Sequence, residues 1–235
     1  LPYWYSLSDE ARRTGAPLLR PLFWHFDGVD DVEDEAMVGP FLLVAPILAP
    51  VSDGVSDPVK GSRTVVLPAG RWFDVVSGAV KDGPATFSVS GPLAALPMWA
   101  REGAIVPRGP VRQFEGDVAG ALEVTVYPSA TPTTFTLCED LGDGPEGSPW
   151  RRTVWSQEGL PTGALVSASV TGDSTFEPAP RQFVIRLRRV DHRPTLVTLD
   201  GVSLQELSAA LDPAGEVVST EPGWAWDAAD LTLII

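Results

Sequence analysis

The stretch "LPYWYSLSDEARRTGAPLLRPLFW", residues 1–24, decides how the rest of the chain is interpreted. Apolar residues recur in it every three or four positions, which predicts an amphipathic helix. They are Leu1, Trp4, Leu7 and Ala11. The helix is predicted to end near Arg13, because Gly15 suits the position after a helix C-cap and Pro17 prevents the helix from resuming.

A strand is predicted directly after this helix. Residues from Leu18 to Phe26 are apolar at successive positions, so both faces of the strand would be buried. Strands buried on both faces are typical of parallel sheets covered by helices. We therefore expect the opening helix and strand to form an α/β unit and not the edge of a sandwich.

The remainder of the chain has a different pattern. Short apolar runs alternate with Pro and Gly, which favours antiparallel sandwiches. Within residues 63–78, Pro68 to Gly70 are predicted to form a hairpin turn. The predicted strands lie within residues 41–48, 63–78, 94–110, 121–128, 134–144, 165–170, 182–188, 195–199 and 231–235.

Net charge limits the classes of partner. The formal net charge is -14, which argues against nucleic acid and anionic membranes, because both carry negative charge themselves. An acidic surface is compatible with neutral substrates such as sugars. The longest apolar stretch, Phe41 to Ala49, contains Pro46 and is too short to span a bilayer.

Cysteine and histidine usage limits the classes of site. Cys138 is the single cysteine, so the chain cannot form an internal disulfide or a cysteine zinc site. This is compatible with a reducing compartment and favours the cytoplasm. His25 and His192 lie far apart in sequence, which argues against a histidine-rich metal site. We expect no cofactor and no metal.

A series of short motifs is more specific than composition. In chain order, they are "RPLF" (20–23), "GPFLLVAPIL" (39–48), "VLPAGRWFDVVSG" (66–78), "GPLAALPMWAREGAIVP" (91–107) and "VYPSATPTTFTLCEDLGDG" (126–144). Together they resemble the C-terminal part of glycoside hydrolase family 31, the α-glucosidase and α-xylosidase family. Such motifs in the right order over residues 1–144 are far more specific than any one of them. The remaining residues resemble only a distal β-sandwich.

The resemblance implies an architecture and an activity. Residues 1–38 would be the last helix and strand of a (β/α)8 catalytic barrel, 39–120 a proximal β-sandwich and 121–235 a distal one. The expected fold is thus mainly β, with two antiparallel β-sandwich domains after the barrel segment. Retaining glycosidases of this kind use two carboxyl groups. The family pattern places the nucleophile and the acid/base Asp upstream of Leu1.

The chain is therefore expected to be a non-catalytic, structural fragment, inactive alone. Its parent would be a retaining α-glycosidase that hydrolyses α-linked oligosaccharides or glycosides. The turn at residues 137–144 favours α-glucosidase over α-xylosidase. The chain departs from the family pattern at four positions, of which the first two concern fine specificity and the last two concern the role of the turn in the last motif. They are His25, Ala36, Cys138 and Leu141.

Two acidic segments could suggest metal sites. The first comprises Asp27, Asp30, Asp31, Glu33, Asp34 and Glu35, and the second comprises Glu139, Asp140 and Asp143. The first lacks the spacing and the central Gly of an EF-hand, so a solvated connection is favoured. The second is interpreted as a structural turn.

Other residues could suggest a binding site. Core packing is favoured over sugar stacking for the tryptophans, and a packing role over substrate contact for His25. For Arg101, we favour a tie between a sheet and a carboxylate or carbonyl, and for Cys138 a small strand residue. The tryptophans weighed are Trp24, Trp72, Trp99, Trp150, Trp155, Trp224 and Trp226.

A second hypothesis is a freestanding β-sandwich module that binds carbohydrate. The first 26 residues argue against it, because such a module does not need a barrel helix and strand. The fragment hypothesis carries a further expectation, namely that the apolar faces of this helix and strand are exposed. Removal of about the first 35 residues is then expected to give a better-behaved protein.

Overall fold

The computed structural model describes residues 1–29, 31–50, 60–110, 120–142, 148–160, 163–172, 175–178, 180–207 and 221–235. This part contains one α-helix, one 3-10 turn and sixteen strands, so the predicted mainly β class is confirmed. Two compact units form, one of residues Thr14–Ala104 and one of Leu1–Arg13 with Ile105–Ile235. The predicted domain limits after residues 38 and 120 stay predictions, because compactness within one chain does not define the domains of a longer fold.

The unit of residues 14–104 contains a six-stranded sheet. Its strands are β1 (Leu19–Pro21), β2 (Ala36–Val38), β3 (Leu42–Val44), β4 (Lys60–Asp74), β5 (Val80–Pro92) and β6 (Met98–Arg101). Their order is β1-β2-β3-β6-β4-β5, and every neighbouring pair is antiparallel.

The first strand is shorter than predicted and differs in pairing. β1 pairs antiparallel with β2, from Leu19 opposite Val38 to Pro21 opposite Ala36. Pro21 has no N–H with which to extend the ladder, and Leu22–Trp24 form a 3-10 turn instead. The expectation of a doubly buried strand in a parallel sheet is therefore wrong. The assignment of residues 1–38 to a barrel stays a prediction.

The predicted hairpin turn also lies elsewhere. Pro68 to Gly70 lie inside β4, at a register irregularity where Gly70 has a φ of 127°. The chain reverses after Asp74, whose Oδ1 accepts the N–H groups of Val76 (3.1 Å) and Ser77 (2.6 Å). The Pro-Ala-Gly sequence thus makes a bulge in one long strand, and the Asp side chain stabilises the turn.

The core of this unit is apolar and aromatic. Its buried residues are Leu22, Val29, Met37, Leu43, Ala45, Val65, Leu67, Trp72 and Trp99. The indole Nε1 of Trp72 donates to the carbonyl of Pro68 at 2.9 Å, which satisfies the indole N–H inside the core.

The second unit contains three further sheets. Its strands are β7 (Ile105–Arg108), β8 (Leu122–Val126), β9 (Thr133–Asp140), β10 (Trp150–Leu160), β11 (Gly163–Thr171), β12 (Phe183–Leu187), β13 (Thr198–Leu199), β14 (Val202–Ser203), β15 (Ala225–Asp227) and β16 (Thr232–Ile234). The sheet orders are β11-β10-β9, β15-β16-β12-β8-β7 and β13-β14. All pairs are antiparallel except β8 with β12, which is parallel.

Helix α1 (Pro2–Thr14) begins and ends close to its predicted limits, and Gly15 follows it with a φ of 78°. Its buried residues are Tyr3, Ser6 and Leu7. Of the predicted apolar face, Leu1 and Trp4 are instead 78% and 44% exposed. The predicted face is therefore confirmed for Leu7 and wrong for Leu1 and Trp4, because the buried face also contains Tyr3 and Ser6.

The buried face of α1 packs on the sheet of β9 and β10. The rings of Tyr3 and Phe135 stack with their centroids 4.9 Å apart. The backbone N–H of Cys138 donates to Ser6 Oγ at 3.0 Å, and the Ser6 hydroxyl donates to the carbonyl of Pro2 at 2.8 Å. The helix thereby covers part of the β9 backbone.

Charged groups also stabilise the packing of α1 on the sheet of β9 and β10. The Arg152 guanidinium on β10 donates two hydrogen bonds of 2.8 Å to the Asp9 carboxylate, and Arg13 donates a third at 2.9 Å. The bonds from Arg152 and Arg13 hold the pKa of Asp9 well below its usual range, against the opposing effect of burial. The Tyr5 hydroxyl donates to Asp140 at 2.7 Å, and this bond to a carboxylate raises the pKa of the phenol.

These contacts argue against the expectation that truncation would improve the chain, which stays a prediction. The helix is built into the unit of residues 105–235 through one stacked ring pair, one backbone cap and one bidentate ion pair. Among the described residues, no helix is long and apolar enough to cross a membrane.

Candidate functional site

An aromatic segment follows β1 in the unit of residues 14–104 and includes exposed aromatic side chains and His25. Leu22 is fully buried, whereas Phe23 and Trp24 are 54% and 52% exposed. The buried leucine anchors the 3-10 turn and leaves the two aromatic rings that follow it accessible. We call Phe23, Trp24, His25 and Phe26, together with Arg101, the aromatic surface.

Arg101 on β6 contributes the charge of the aromatic surface. Its guanidinium carbon lies 5.4 Å from the centroid of the Phe26 ring, a cation–π distance. The Phe26 ring in turn lies 5.7 Å from that of Trp72, which is the register partner of Arg101 on β4. Burial lowers the pKa of Arg101, and the carboxylate of Glu102 opposes this shift.

His25 lies beside a second arginine. Arg20 is buried, and its Nε donates to the carbonyl of Pro17 at 2.8 Å. One terminal nitrogen of Arg20 lies 3.4 Å from His25 Nε2, and the His25 ring is 6.1 Å from that of Phe26. The packing role expected for His25 stays a prediction, and the residues beside its ring include Arg20 and Phe26.

The acidic segment 27–35 ends in a buried ion pair. Glu35 Oε1 accepts hydrogen bonds from the Arg63 guanidinium at 2.9 Å and from the Val66 N–H at 2.8 Å. Arg63 also donates to the Asp34 carboxylate at 2.9 Å. Burial raises the pKa of Glu35, and the two donors oppose that shift.

The prediction of a solvated connection is therefore wrong for Glu35, whose side chain is fully buried. The prediction agrees with the exposure of three other residues of this segment, Asp27, Asp31 and Glu33. Asp30 lies outside the described residues. Within the described ranges, no three or more His, Cys, Asp and Glu side chains are grouped so that they could hold a metal ion.

The second acidic segment forms a turn, as predicted. The Asp140 carboxylate accepts the N–H of Gly142 at 2.7 Å, the geometry of an Asx turn. Glu139 instead pairs with Arg181 at 2.6 Å. Asp143 lies outside the described residues. Cys138 is a buried strand residue, as predicted, and burial raises its pKa to about 11.

Most of the tryptophans are core residues. Trp72, Trp99, Trp155 and Trp224 are buried, which confirms core packing for these four. Trp150 and Trp226 are partly buried, and the Arg152 guanidinium lies 4.0 Å from the Trp150 ring. Trp24 is exposed and therefore available for contact.

The carboxylate or carbonyl partner expected for Arg101 is not found among the described residues, where the guanidinium contacts the Phe26 ring. The sequence interpretation also missed the two ion pairs Asp9–Arg152 and Glu35–Arg63. No sequence pattern signals either pair, because their partners lie 143 and 28 residues apart.

Comparison with known proteins identifies the fold. The sequence profile of the glycosyl hydrolase family 31 C-terminal domain matches residues 15–106, which include all six strands of the first sheet and the aromatic surface. Residues 15–106 therefore match the C-terminal domain of glycoside hydrolase family 31. The chain matches the C-terminal portion of that family, as its motifs indicated.

Curated relatives agree with this assignment. An α-glucosidase of Saccharolobus solfataricus is 42% identical over 130 residues, covering 54% of this chain and 15% of the relative. The α-glucosidase 2 of Bacillus thermoamyloliquefaciens is 28% identical over 221 residues, covering 91% of this chain and 26% of the relative. The chain thus spans a minor part of the length of the family 31 relatives that it matches.

Solved structures share the fold. A family 31 dextranase of Flavobacterium johnsoniae, crystallised with isomaltotriose, superposes over 99% of this chain and 29% of its own, with a TM-score of 0.83 and 24% identity. A family 31 α-xylosidase of Xanthomonas citri superposes over 80% of this chain and 20% of its own, with a TM-score of 0.64 and 30% identity. The arrangement of sheets found here is therefore that of the family's C-terminal region.

Proposed function

We propose that this chain is the structural C-terminal portion of a retaining α-glycosidase of family 31, with α-glucosidase as its activity. The observation that carries the proposal is the 42% identity to an α-glucosidase over 130 residues. The proposed substrates are α-linked oligosaccharides or glycosides. The relatives and neighbours support this class, since their names include α-glucosidases and a dextranase crystallised with isomaltotriose.

The chemistry is assigned to the catalytic portion of the parent enzyme. Retention requires a nucleophilic carboxylate and an acid/base carboxyl about 5–5.5 Å apart across the glycosidic bond. Both Asp residues are proposed to lie on the part of a (β/α)8 barrel that is outside this chain, so the chain itself contributes no catalytic residue. Residues 1–38 would be the last helix and strand of that barrel, and residues 39–120 and 121–235 would brace it. No metal or organic cofactor takes part in the proposed reaction.

The decisive experiment uses the full-length gene product. We expect it to hydrolyse an aryl α-glucoside faster than an aryl α-xyloside, with the α-anomer of the sugar as the first product seen by proton NMR. Residues 1–235 alone should show only the background rate with both substrates. An inactive full-length product would refute the proposal, and so would activity of residues 1–235 alone.

A maltooligosaccharide substrate separates hydrolysis from transfer. A relative from Sporosarcina globispora, 27% identical over 240 residues, is named a 1,6-α-glucosyltransferase. If this protein is a hydrolase, glucose should accumulate and longer products should stay minor as substrate concentration rises. If longer products dominate, the activity is that of a transferase with the same fold and not that of a hydrolase.

A further inference from the structure

The aromatic surface contains a cation, Arg101, that forms no ion pair and no side-chain hydrogen bond with the described residues, although the charge of Glu102 acts on it. Within the described residues, neither the ion pairs nor the side-chain hydrogen bonds involve the Arg101 guanidinium, whose neighbour is the Phe26 ring at 5.4 Å. Six other partly buried or buried arginines each pair with a carboxylate. They are Arg63 with Glu35, Arg151 with Glu177, Arg152 with Asp9, Arg181 with Glu139, Arg186 with Glu123 and Arg188 with Asp230.

The contrast with these arginines has an energetic meaning. A guanidinium carries five N–H donors that suit a carboxylate, and a partly desolvated one that makes no hydrogen bond is costly. Stacking on an aromatic ring compensates for only part of this cost. The formal net charge of the chain is -14, so a cation that forms no ion pair with the described residues is unusual in this composition.

The segment that carries Phe26 suits a protein surface. Phe23 and Trp24 are 54% and 52% exposed and precede Phe26 in sequence by three and two residues. Aromatic residues and arginine are enriched at the energetically important centres of protein–protein interfaces. The charge that would complete such a centre is negative.

From this geometry we propose that Arg101, supported by Phe26, receives a carboxylate from the catalytic portion of the parent enzyme, with Phe23 and Trp24 packing around the pair. This inference rests on the proposed function, since it takes the catalytic portion as the partner. Arg101 is assigned a positioning role. It holds the C-terminal portion in place and touches no substrate.

A crosslinking experiment on the full-length gene product tests the contact directly. R101K places an amine at this position, and a carbodiimide then joins that amine to a carboxylate in contact with it. Peptide mapping should find residue 101 joined to an Asp or Glu outside residues 1–235. The matched control is R71K, because Arg71 also stacks on a phenylalanine, Phe73, but is exposed.

Three crosslinking results would overturn the proposal. They are a link from residue 101 only to carboxylates within residues 1–235, a link from residue 71 of R71K to the same outside carboxylate, and no link at all. The measurement requires no enzymatic activity. If the wild-type enzyme is active but its R101K variant gives no such link, this inference alone is refuted, whereas an inactive enzyme whose R101K variant gives the link refutes only the proposed hydrolase activity.

A second variant covers the case in which R101K fails to fold. R101Q in the full-length enzyme should shorten the half-life of activity on heating by about tenfold, because the partner carboxylate loses its cation. In residues 1–235 alone, R101Q should shift the unfolding temperature by less than about 2 °C, since only the ring contact is lost. Equal effects of R101Q in the two proteins would show that Arg101 acts only within this chain.

Discussion

Replacement of Asp9 by Asn should loosen helix α1 from the sheet of β9 and β10. Asp9 accepts two hydrogen bonds of 2.8 Å from Arg152, and the two side chains are 9% and 16% exposed. Asn keeps the size of Asp but has no charge and a single acceptor oxygen. The variant Asp9→Asn therefore leaves the Arg152 guanidinium without its counter-charge.

The size of the effect follows from burial. Breaking a fully buried ion pair by removal of one partner costs about 3–5 kcal/mol. The Asp9 pair retains some solvent, and Arg152 keeps its contact with the Trp150 ring at 4.0 Å, so we expect a loss of about 2 kcal/mol in the free energy of unfolding. For a chain of this size, that loss corresponds to a fall of about 4–8 °C in the unfolding temperature near pH 7.

The effect should depend on pH with a definite sign. The bonds from Arg152 and Arg13 lower the folded-state pKa of Asp9 below its unfolded value of about 3.9. The stabilisation is therefore present above that unfolded pKa and is lost as the pH falls through the folded pKa. The difference between wild type and Asp9→Asn should be largest near neutral pH and should narrow below about pH 4.

Thermal unfolding followed by circular dichroism measures the loss, and exchange of the Cys138 amide proton locates it, because that amide donates to Ser6 on the helix. The control is Arg12→Gln, since Arg12 also pairs with Asp9 but is 72% exposed and should contribute less than about 0.5 kcal/mol. The reasoning is refuted if the two variants unfold alike, or if their difference is the same at pH 3 and pH 7.

Three further predictions follow from the same structure. Gly83→Ala should lower the free energy of unfolding by at least about 3 kcal/mol, because the added Cβ would lie 1.9 Å from the Pro68 carbonyl oxygen. Gly91→Ala on the same strand is the control and should lower it by less than about 1 kcal/mol, since its Cβ would lie 3.6 Å from the nearest atom. Urea unfolding measures both losses. Deletion of residues 1–14 should lower the unfolding temperature and promote aggregation, since it uncovers Phe135 and removes the Asp9 partner of Arg152; an unchanged temperature would contradict this. Burial raises the folded pKa of Glu35 above its unfolded value. The stabilisation that this shift gives the folded state is therefore present below about pH 4.3 and is lost as the pH rises through the folded pKa. Glu35→Gln mimics the protonated acid and should gain stability relative to wild type between pH 4 and pH 8. If the two proteins differ in unfolding temperature by the same amount at every pH, this prediction is wrong.

Local patterns predicted the elements well where a local rule governs them. Helix α1 has close to its predicted limits because the stop signal, Gly15 with a positive φ, is a property of the backbone itself. Asp140 forms its predicted turn for the same reason, since its side chain bonds the amide two residues later. The ordered motifs identified the family because they sample several strands at once.

The pattern failed where the outcome depended on a distant partner. Two apolar stripes run along α1, and periodicity does not say which one meets the β9–β10 sheet. The buried stripe includes Ser6, whose hydroxyl is needed to cap Cys138, and it lies next to Asp9, which pairs with Arg152. In the same way, Glu35 reads as solvated in sequence, since Arg63 lies 28 residues later.

The division of α1 into two faces bears on the proposed parent enzyme. Tyr3 and Leu7 are buried in the unit that contains β9 and β10, whereas Leu1 and Trp4, on the adjacent stripe, are 78% and 44% exposed. A helix that only braced this unit would gain nothing from a second apolar stripe, because exposed apolar side chains favour association. The exposed stripe, like the aromatic surface around Arg101, supports a second packing partner, and the catalytic portion proposed for the enzyme meets that requirement at both places. The Asp9 and Arg101 variants separate the two functions: Asp9→Asn should destabilise residues 1–235 by themselves, whereas Arg101→Gln should matter only when the catalytic portion is attached.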